Sequence, residues 1–249
     1  MSPVAEVSQP LPPHEQALLL DLDGLLLNTE RPQRPVYQRI VSELFDVEVP
    51  ASEFSWAHGA SKAATVAGLN ERFGKLPLLD TGVLASFHSV GELIVSRLRE
   101  IRRTEMEQHG VELMPGALPL FDMADRGRLR RAVSTSRRED VARQMLDAAC
   151  ILPRVDSVVG EGTPGVLEVK PAPDIGQVSA QQLRVAIKNC WGLEDSPTGV
   201  RGQKEAGAKV LYVADLQVAG ICPATRRLAT HTVTSLEEAV TFLEKELGI

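Results

Sequence analysis

Residues 18–30 read Leu-Leu-Leu-Asp-Leu-Asp-Gly-Leu-Leu-Leu-Asn-Thr-Glu. An apolar run stops at two carboxylates, a glycine follows, and a second apolar run begins. The first run predicts a strand buried on both faces, because near-continuous apolar residues are what the interior of a parallel sheet demands. Gly24 permits a backbone break that other residues resist, and residues 25–27 are expected to continue the strand after it. Asp21 and Asp23 then stand at the C-terminal edge, where an open α/β sheet binds its ligands. Burying two acids this close is costly unless a cation or a reaction uses them.

The rest of the chain follows from that strand. Residues 1–13 carry Pro3, Pro10, Pro12 and Pro13 and read as a tail with no structure of its own. Pro32 and Pro35 punctuate a helix start, and Tyr37, Ile40, Val41, Leu44 and Phe45 then recur at helical spacing. Residues 58–62 read as a turn and residues 63–73 as a helix. Thr81 is expected to cap one long helix bearing Leu84, Phe87, Leu93, Ile94, Leu98 and Ile101. From Met114 onward helix and strand alternate. A helix opens at Met114-Pro115-Gly116-Ala117 and ends near Gly127. Strands are expected at 129–133, 155–159, 190–193 and 209–213, the last being the final core strand. Helices fall at 139–149, after Asp174, and at 200–206. Ser235 and Glu238 form a capping box for a C-terminal helix. This alternation implies an α/β fold with a doubly wound, Rossmann-like parallel sheet. The expected organisation is a tail at 1–13, a core from 14–31 and 112–249, and an inserted all-helical cap at 32–111.

Composition narrows the function classes. In 249 residues, 43% are hydrophobic, enough for a core and a smaller insert. A net charge of -6 and 4% aromatics argue against nucleic-acid binding by positive charge or base stacking. The basic stretch at 126–138 reads as a solvated face. No apolar run approaches the ~18 residues of a membrane span, and no basic-then-apolar leader opens the chain. Cys150, Cys190 and Cys222 lack metal or redox spacing and fit a reducing compartment. The expectation is a cytoplasmic monomer with no membrane or nucleic-acid partner.

Four polar groups each follow an expected strand: Asp21 with Asp23, Ser134, Lys170 by way of a loop, and Glu194 with Asp195. Strand ends converge on one edge of a doubly wound sheet, so these groups can meet. Hard oxygen ligands suit Mg²⁺. An ammonium and a metal neutralise a phosphoryl group, one carboxylate can attack it, and a second can protonate the leaving oxygen. Taken singly, Ser134 also reads as a helix cap with Ser136 as its rival, and Glu194 and Asp195 as caps of the next helix.

Taken together, the four resemble the motifs of the haloacid dehalogenase superfamily. Asp21-Leu22-Asp23-Gly24-Leu25-Leu26 is similar to its first motif and Ser134 to its second. Lys170-Pro171-Ala172-Pro173-Asp174 is similar to the third, and Gly192-Leu193-Glu194-Asp195-Ser196 to the fourth. A helical insert after the first motif resembles the small cap of the phosphoglucomutase-like branch. The resemblance implies Asp21 as nucleophile and metal ligand, and Asp23 as general acid/base that offers its backbone carbonyl to Mg²⁺. It implies Ser134 and Lys170 as phosphoryl holders, and Glu194 and Asp195 as metal ligands. Gly24 and Thr29 would shape the turn beneath the cap. Gly24, Ser136, Arg137 and Lys62 are the candidate substrate contacts, Arg137 through its fork geometry.

The chain departs from the family pattern in three places: Asn28 replaces an acid, Trp191-Gly192 replaces an aliphatic pair, and Arg137-Arg138 follow the second motif. The implied activity is a Mg²⁺-dependent phosphatase acting on a small phosphorylated metabolite, a sugar phosphate or nucleoside monophosphate. The alternatives are a sugar-phosphate mutase, which Gln33 disfavours where mutases carry a histidine, and a non-catalytic phospholigand-binding protein.

Overall fold

The computed structural model describes residues 15–29, 33–57, 62–214 and 222–249. Strands β1 (Ala17–Leu20), β2 (Arg130–Arg138), β3 (Ser157–Glu161), β4 (Cys190–Glu194), β5 (Lys209–Val213) and β6 (His231–Val233) form one parallel sheet in the order β3-β2-β1-β4-β5-β6. β1 lies between β2 and β4, where the winding reverses direction, so its C-terminal end opens onto the crevice of a doubly wound sheet. All four of its residues are buried. Leu18 and Leu20 face one apolar layer with Leu120, Phe121 and Leu243, while Ala17 and Leu19 face the other with Ala180 and Leu183. That two-sided burial is why the run contains no polar residue.

Helices α1 (Gln33–Phe45), α2 (Lys62–Phe73) and α3 (Val90–His109) follow β1, with no strand among the described residues of this segment. They carry an apolar cluster of their own. Tyr37 stacks on Phe54 at 5.4 Å, and Phe54 on Phe73 at 5.7 Å. Helices α4 (Ala117–Arg126), α5 (Glu139–Ala148), α6 (Asp174–Leu183), α7 (Pro197–Ala206), α8 (Pro223–Leu228) and α9 (Leu236–Leu247) belong with the sheet. Among the described residues, no helix is long and apolar enough to cross a membrane. The expected tail at 1–13 and most of the turn at 58–62 lie outside the described residues.

Several local expectations need correction. Residues 25–27 do not continue the strand. Gly24, at φ +80°, starts a tight turn in which its N–H donates to Leu27 and that of Leu26 to Leu22. The helix expected from Thr81 is broken. Asp80 caps a 3-10 turn over Thr81–Ser86, and α3 starts afresh at Val90. β2 runs on through Ser134 to Arg138, so the serines lie within a strand and not after it. A sixth strand follows β5. Ser235 caps α9 as expected, but Glu238 bonds back to the N–H of Thr234 at 2.8 Å, one residue earlier than the box pattern implies.

The chain leaves and re-enters the sheet layer side by side. Leu27 bridges Leu113, Met114 N–H donates to Leu26, and Asn28 N–H donates to the Glu112 carbonyl. The Asn28 side chain also donates to the Glu112 carboxylate at 2.6 Å. An ionised aspartate has no proton for that bond, which accounts for the amide at this position.

Candidate active site

The end of β1 delivers Asp21, whose N–H donates to the Leu193 carbonyl of β4 at 3.1 Å and fixes it beside the end of that strand. β4 delivers Glu194 and then Asp195. Carboxylate oxygens of Asp21, Glu194 and Asp195 lie within 4.8 Å of one another, and all three residues are buried. The loop after β3 brings in Lys170, whose ammonium donates to Asp21 Oδ1 at 2.5 Å and lies 2.8 Å from Glu194 Oε1. Its side chain is 5% exposed and that of Glu194 0%. Residues 149 positions apart in sequence thus form one desolvated cluster.

Its electrostatics follow from burial. Desolvation raises the Asp21 carboxyl above its usual range, against the pull of Lys170 and with the push of Asp23. Desolvation likewise pushes Glu194 up to about 8, with Lys170 opposing. Burial works against the Lys170 ammonium, but Asp21 and Glu194 outweigh it and raise its pKa. Three acids around one ammonium leave a formal excess of two negative charges, the complement of one divalent cation. Glu194 Oε2 is buried with no hydrogen-bond partner. An orphaned carboxylate oxygen inside an acidic cluster is what a hard cation satisfies. The residues therefore fit a hard divalent cation, with Asp21, Glu194 and Asp195 to hold it.

Glu194 owes its position to residues outside the expected set. Gln203 of α7, 1% exposed, donates to Glu194 Oε1 at 3.3 Å. The Gln203 side chain fills the space over Gly192, where a Cβ would stand 2.8 Å from it. This explains the departure at position 192: an aliphatic side chain would collide with Gln203. Trp191 packs edge-on to Phe242 at 5.4 Å, so the second half of that departure is absorbed by the core. Gly199 lets the Glu194 carboxylate lie against the start of α7, since a Cβ there would sit 1.8 Å from Oε2. The cap of α7 is Ser196, which accepts from the Gly199 N–H at 3.1 Å. Neither Glu194 nor Asp195 serves as that cap.

Asp23 occupies a different setting. The Arg137 guanidinium grips it with both arms, Nε to Oδ2 and Nη2 to Oδ1, each at 2.6 Å. Thr29 Oγ1 donates to Oδ1 at 2.6 Å. Burial alone would raise this carboxyl, but Arg137, Arg102 of α3 and Thr29 bring it below its usual value. The two acids of the first motif are thus driven apart, Asp21 up by burial and Asp23 down by Arg137. Ser134 is fully buried and shares a 2.7 Å hydrogen bond with Ser179 of α6.

The remaining expected residues fall unevenly. Gly24 is buried and spends its N–H within the turn, so it contributes shape and no donor. Ser136 is exposed on β2. Lys62 is the first residue of α2, and its side chain lies outside the described residues. Most arginines of the basic stretch have partners. Arg126 meets Glu244, Arg130 the Leu183 carbonyl, Arg131 Asp125 and Arg138 Asp140. Arg102, Ser179 and Gln203 had no sequence signal, because each acts through a contact made only in the folded chain.

Comparison with known proteins identifies relatives over most of the chain. The chain is 27% identical over 205 residues to hexitol phosphatase A of Escherichia coli, covering 80% of this chain and 82% of that one. A probable pseudouridine-5'-phosphatase of Drosophila melanogaster is 24% identical over 237 residues, 93% of each chain. Among solved structures, a Deinococcus radiodurans hydrolase with bound phosphate and sodium superposes with a TM-score of 0.75 at 22% identity, over 95% of this chain and 98% of that one. A family model described as haloacid dehalogenase-like hydrolase matches residues 18–213, from the strand that carries the paired acids to the end of β5, and the chain belongs to that family.

Proposed function

We propose that the chain is a Mg²⁺-dependent phosphatase that hydrolyses a small phosphorylated metabolite, a sugar phosphate or nucleoside monophosphate, through an aspartyl-phosphate on Asp21. The observation that carries this reading is the buried Asp21–Lys170–Glu194 cluster with its orphaned Glu194 oxygen. The named phosphatases among its relatives support it. Asp21 attacks phosphorus as the bond to the leaving oxygen breaks, and Asp23 gives that oxygen its proton. A water then attacks the acyl-phosphate, Asp23 takes the water's proton, and inorganic phosphate leaves with Asp21 regenerated. Lys170 and Ser134 hold phosphoryl oxygens through N–H and O–H donors. Asp21, the Asp23 carbonyl, Glu194 and Asp195 would hold Mg²⁺, which would supply charge to neutralise the phosphoryl group.

Helices α1–α3, within the 32–111 segment, act as the cap that excludes water, and Gly24, Ser136, Arg137 and Lys62 contact substrate where the layers meet. The free thiols of Cys150, Cys190 and Cys222 support a reducing, cytoplasmic setting. The test is phosphate release across a panel of phosphomonoesters with and without Mg²⁺, on wild type and Asp21→Asn. Release that needs Mg²⁺ and vanishes in Asp21→Asn is expected. Retained turnover in that variant sinks the mechanism.

A further inference from the structure

Arg137 and Asp23 hold each other in a way that conflicts with the task assigned to Asp23. Two 2.6 Å bonds from the guanidinium and one from Thr29 occupy both carboxylate oxygens. A general acid must present one of those oxygens to the leaving group. A carboxylate gripped by a guanidinium is ionised and has no proton to give, so the fork must let go before Asp23 can act as the acid. Arg137 is 30% exposed and Asp23 19%, so the pair sits at the mouth of the cleft and not within the core. A guanidinium left behind there needs a new anion, and a planar fork accepts a phosphate or a carboxylate equally well. Arg102, on α3, also lies near enough for its charge to act on Asp23. The charge of Arg137 from the sheet layer and that of Arg102 from the helical layer both act on Asp23.

We propose that Arg137 locks Asp23, and that a second anionic group on the substrate releases it by taking over the guanidinium. Arg137 is ion-paired before and after, and the freed Asp23 carboxylate takes up one proton from solvent, which it then carries to the leaving oxygen. Asp23 is then free to turn toward the leaving oxygen. The substrate class is a phosphomonoester that bears a second phosphate or a carboxylate. Arg137 sets this preference, and Arg102 adds to it when the helical layer lies over the site. This inference rests on the reading of Asp21 as nucleophile and Asp23 as acid.

The test compares phosphate release from a sugar monophosphate, the matching sugar bisphosphate and a phosphorylated hydroxy acid, with Mg²⁺ present. Alkyl esters are used because their leaving oxygens need the acid. Wild type is expected to favour a doubly anionic ester by about tenfold or more in kcat/KM. Arg137→Gln should lower kcat/KM for that ester by about tenfold while raising kcat for the monophosphate, and Arg137→Lys should fall between. Effects of opposite sign on two substrates do not arise from damage to the fold. The bisphosphate and hydroxy-acid arms identify which second anion is read. The lock is overturned if wild type shows no preference for a second anion, or if Arg137→Gln depresses all esters alike. Absence of release from every ester overturns the phosphatase reading as well.

Discussion

Freed of metal, this protein is expected to lose stability as the pH rises from about 5 to about 8.5, and Mg²⁺ is expected to restore it. The cause is Glu194, whose carboxyl burial moves from 4.5 up to about 8 against the pull of Lys170. Asp21 is raised by burial too. A raised acid binds its proton more tightly folded than unfolded. The stability it contributes is complete below its ordinary 4.5 and is lost as the pH climbs through about 8. At roughly 1.4 kcal/mol per pH unit, that interval corresponds to a ceiling of about 5 kcal/mol. In a chain of this size about 1 kcal/mol moves Tm by roughly 2–4 °C, so the fall can reach about 10–20 °C. Asp23 acts with the opposite sign. Its carboxyl is lowered, so its contribution is lost only as the pH falls below about 4, outside this window.

The assay is thermal melting of chelator-treated protein across that range, with and without Mg²⁺, beside Glu194→Gln. The amide keeps the shape and cannot ionise, so the variant's slope should flatten. Mg²⁺ should raise Tm more at the alkaline end, where its ligands are already deprotonated. A metal-free Tm that stays level or rises with pH, or a Glu194→Gln slope equal to that of wild type, refutes the assignment.

Two substitutions probe how Glu194 is held. Gly199→Ala places a Cβ 1.8 Å from Oε2 and must displace the carboxylate. Mg²⁺ affinity by calorimetry should fall by about tenfold or more, with the far-UV circular dichroism unchanged. Gln203→Leu removes the 3.3 Å donor to Oε1 at nearly constant volume, and a smaller loss, about threefold to tenfold, is expected in the same titration.

The sequence revealed what is local and concealed what is not. β1 was legible because its burial on both faces leaves only apolar residues. The site acids were legible because a strand end fixes where they stand. β2 was underestimated at its C-terminal end, where residues 134–138 are all polar and Arg137 finds its partner, Asp23, only across the fold. β6 is three residues long at an edge, with little periodicity to detect. The break between the Thr81 turn and α3 was masked by apolar residues that keep helical spacing across it. Within the site, Asp21, Lys170, Glu194 and Asp195 meet as their motif order implied. The grip of Arg137 on Asp23 was not legible, because it joins residues 114 positions apart and depends on how far β2 extends.

The Gln203 side chain has a consequence for how this sequence can vary. A Cβ at Gly192 would meet it at 2.8 Å, and one at Gly176 would meet its Oε1 at 2.9 Å. Positions on β4, α6 and α7 therefore share a single parcel of space that one amide occupies. A larger residue at 192 is admissible only if 203 shrinks in the same lineage, one at 176 needs room from Ala206 as well, whose Cβ would stand 2.8 Å away, and a smaller residue at 203 opens a void that invites growth beside it. These three sites should drift as a linked set, with substitutions that are harmful singly and tolerated in combination. Because the same amide steadies a carboxylate of the proposed metal site, that drift reaches from core volume into catalysis.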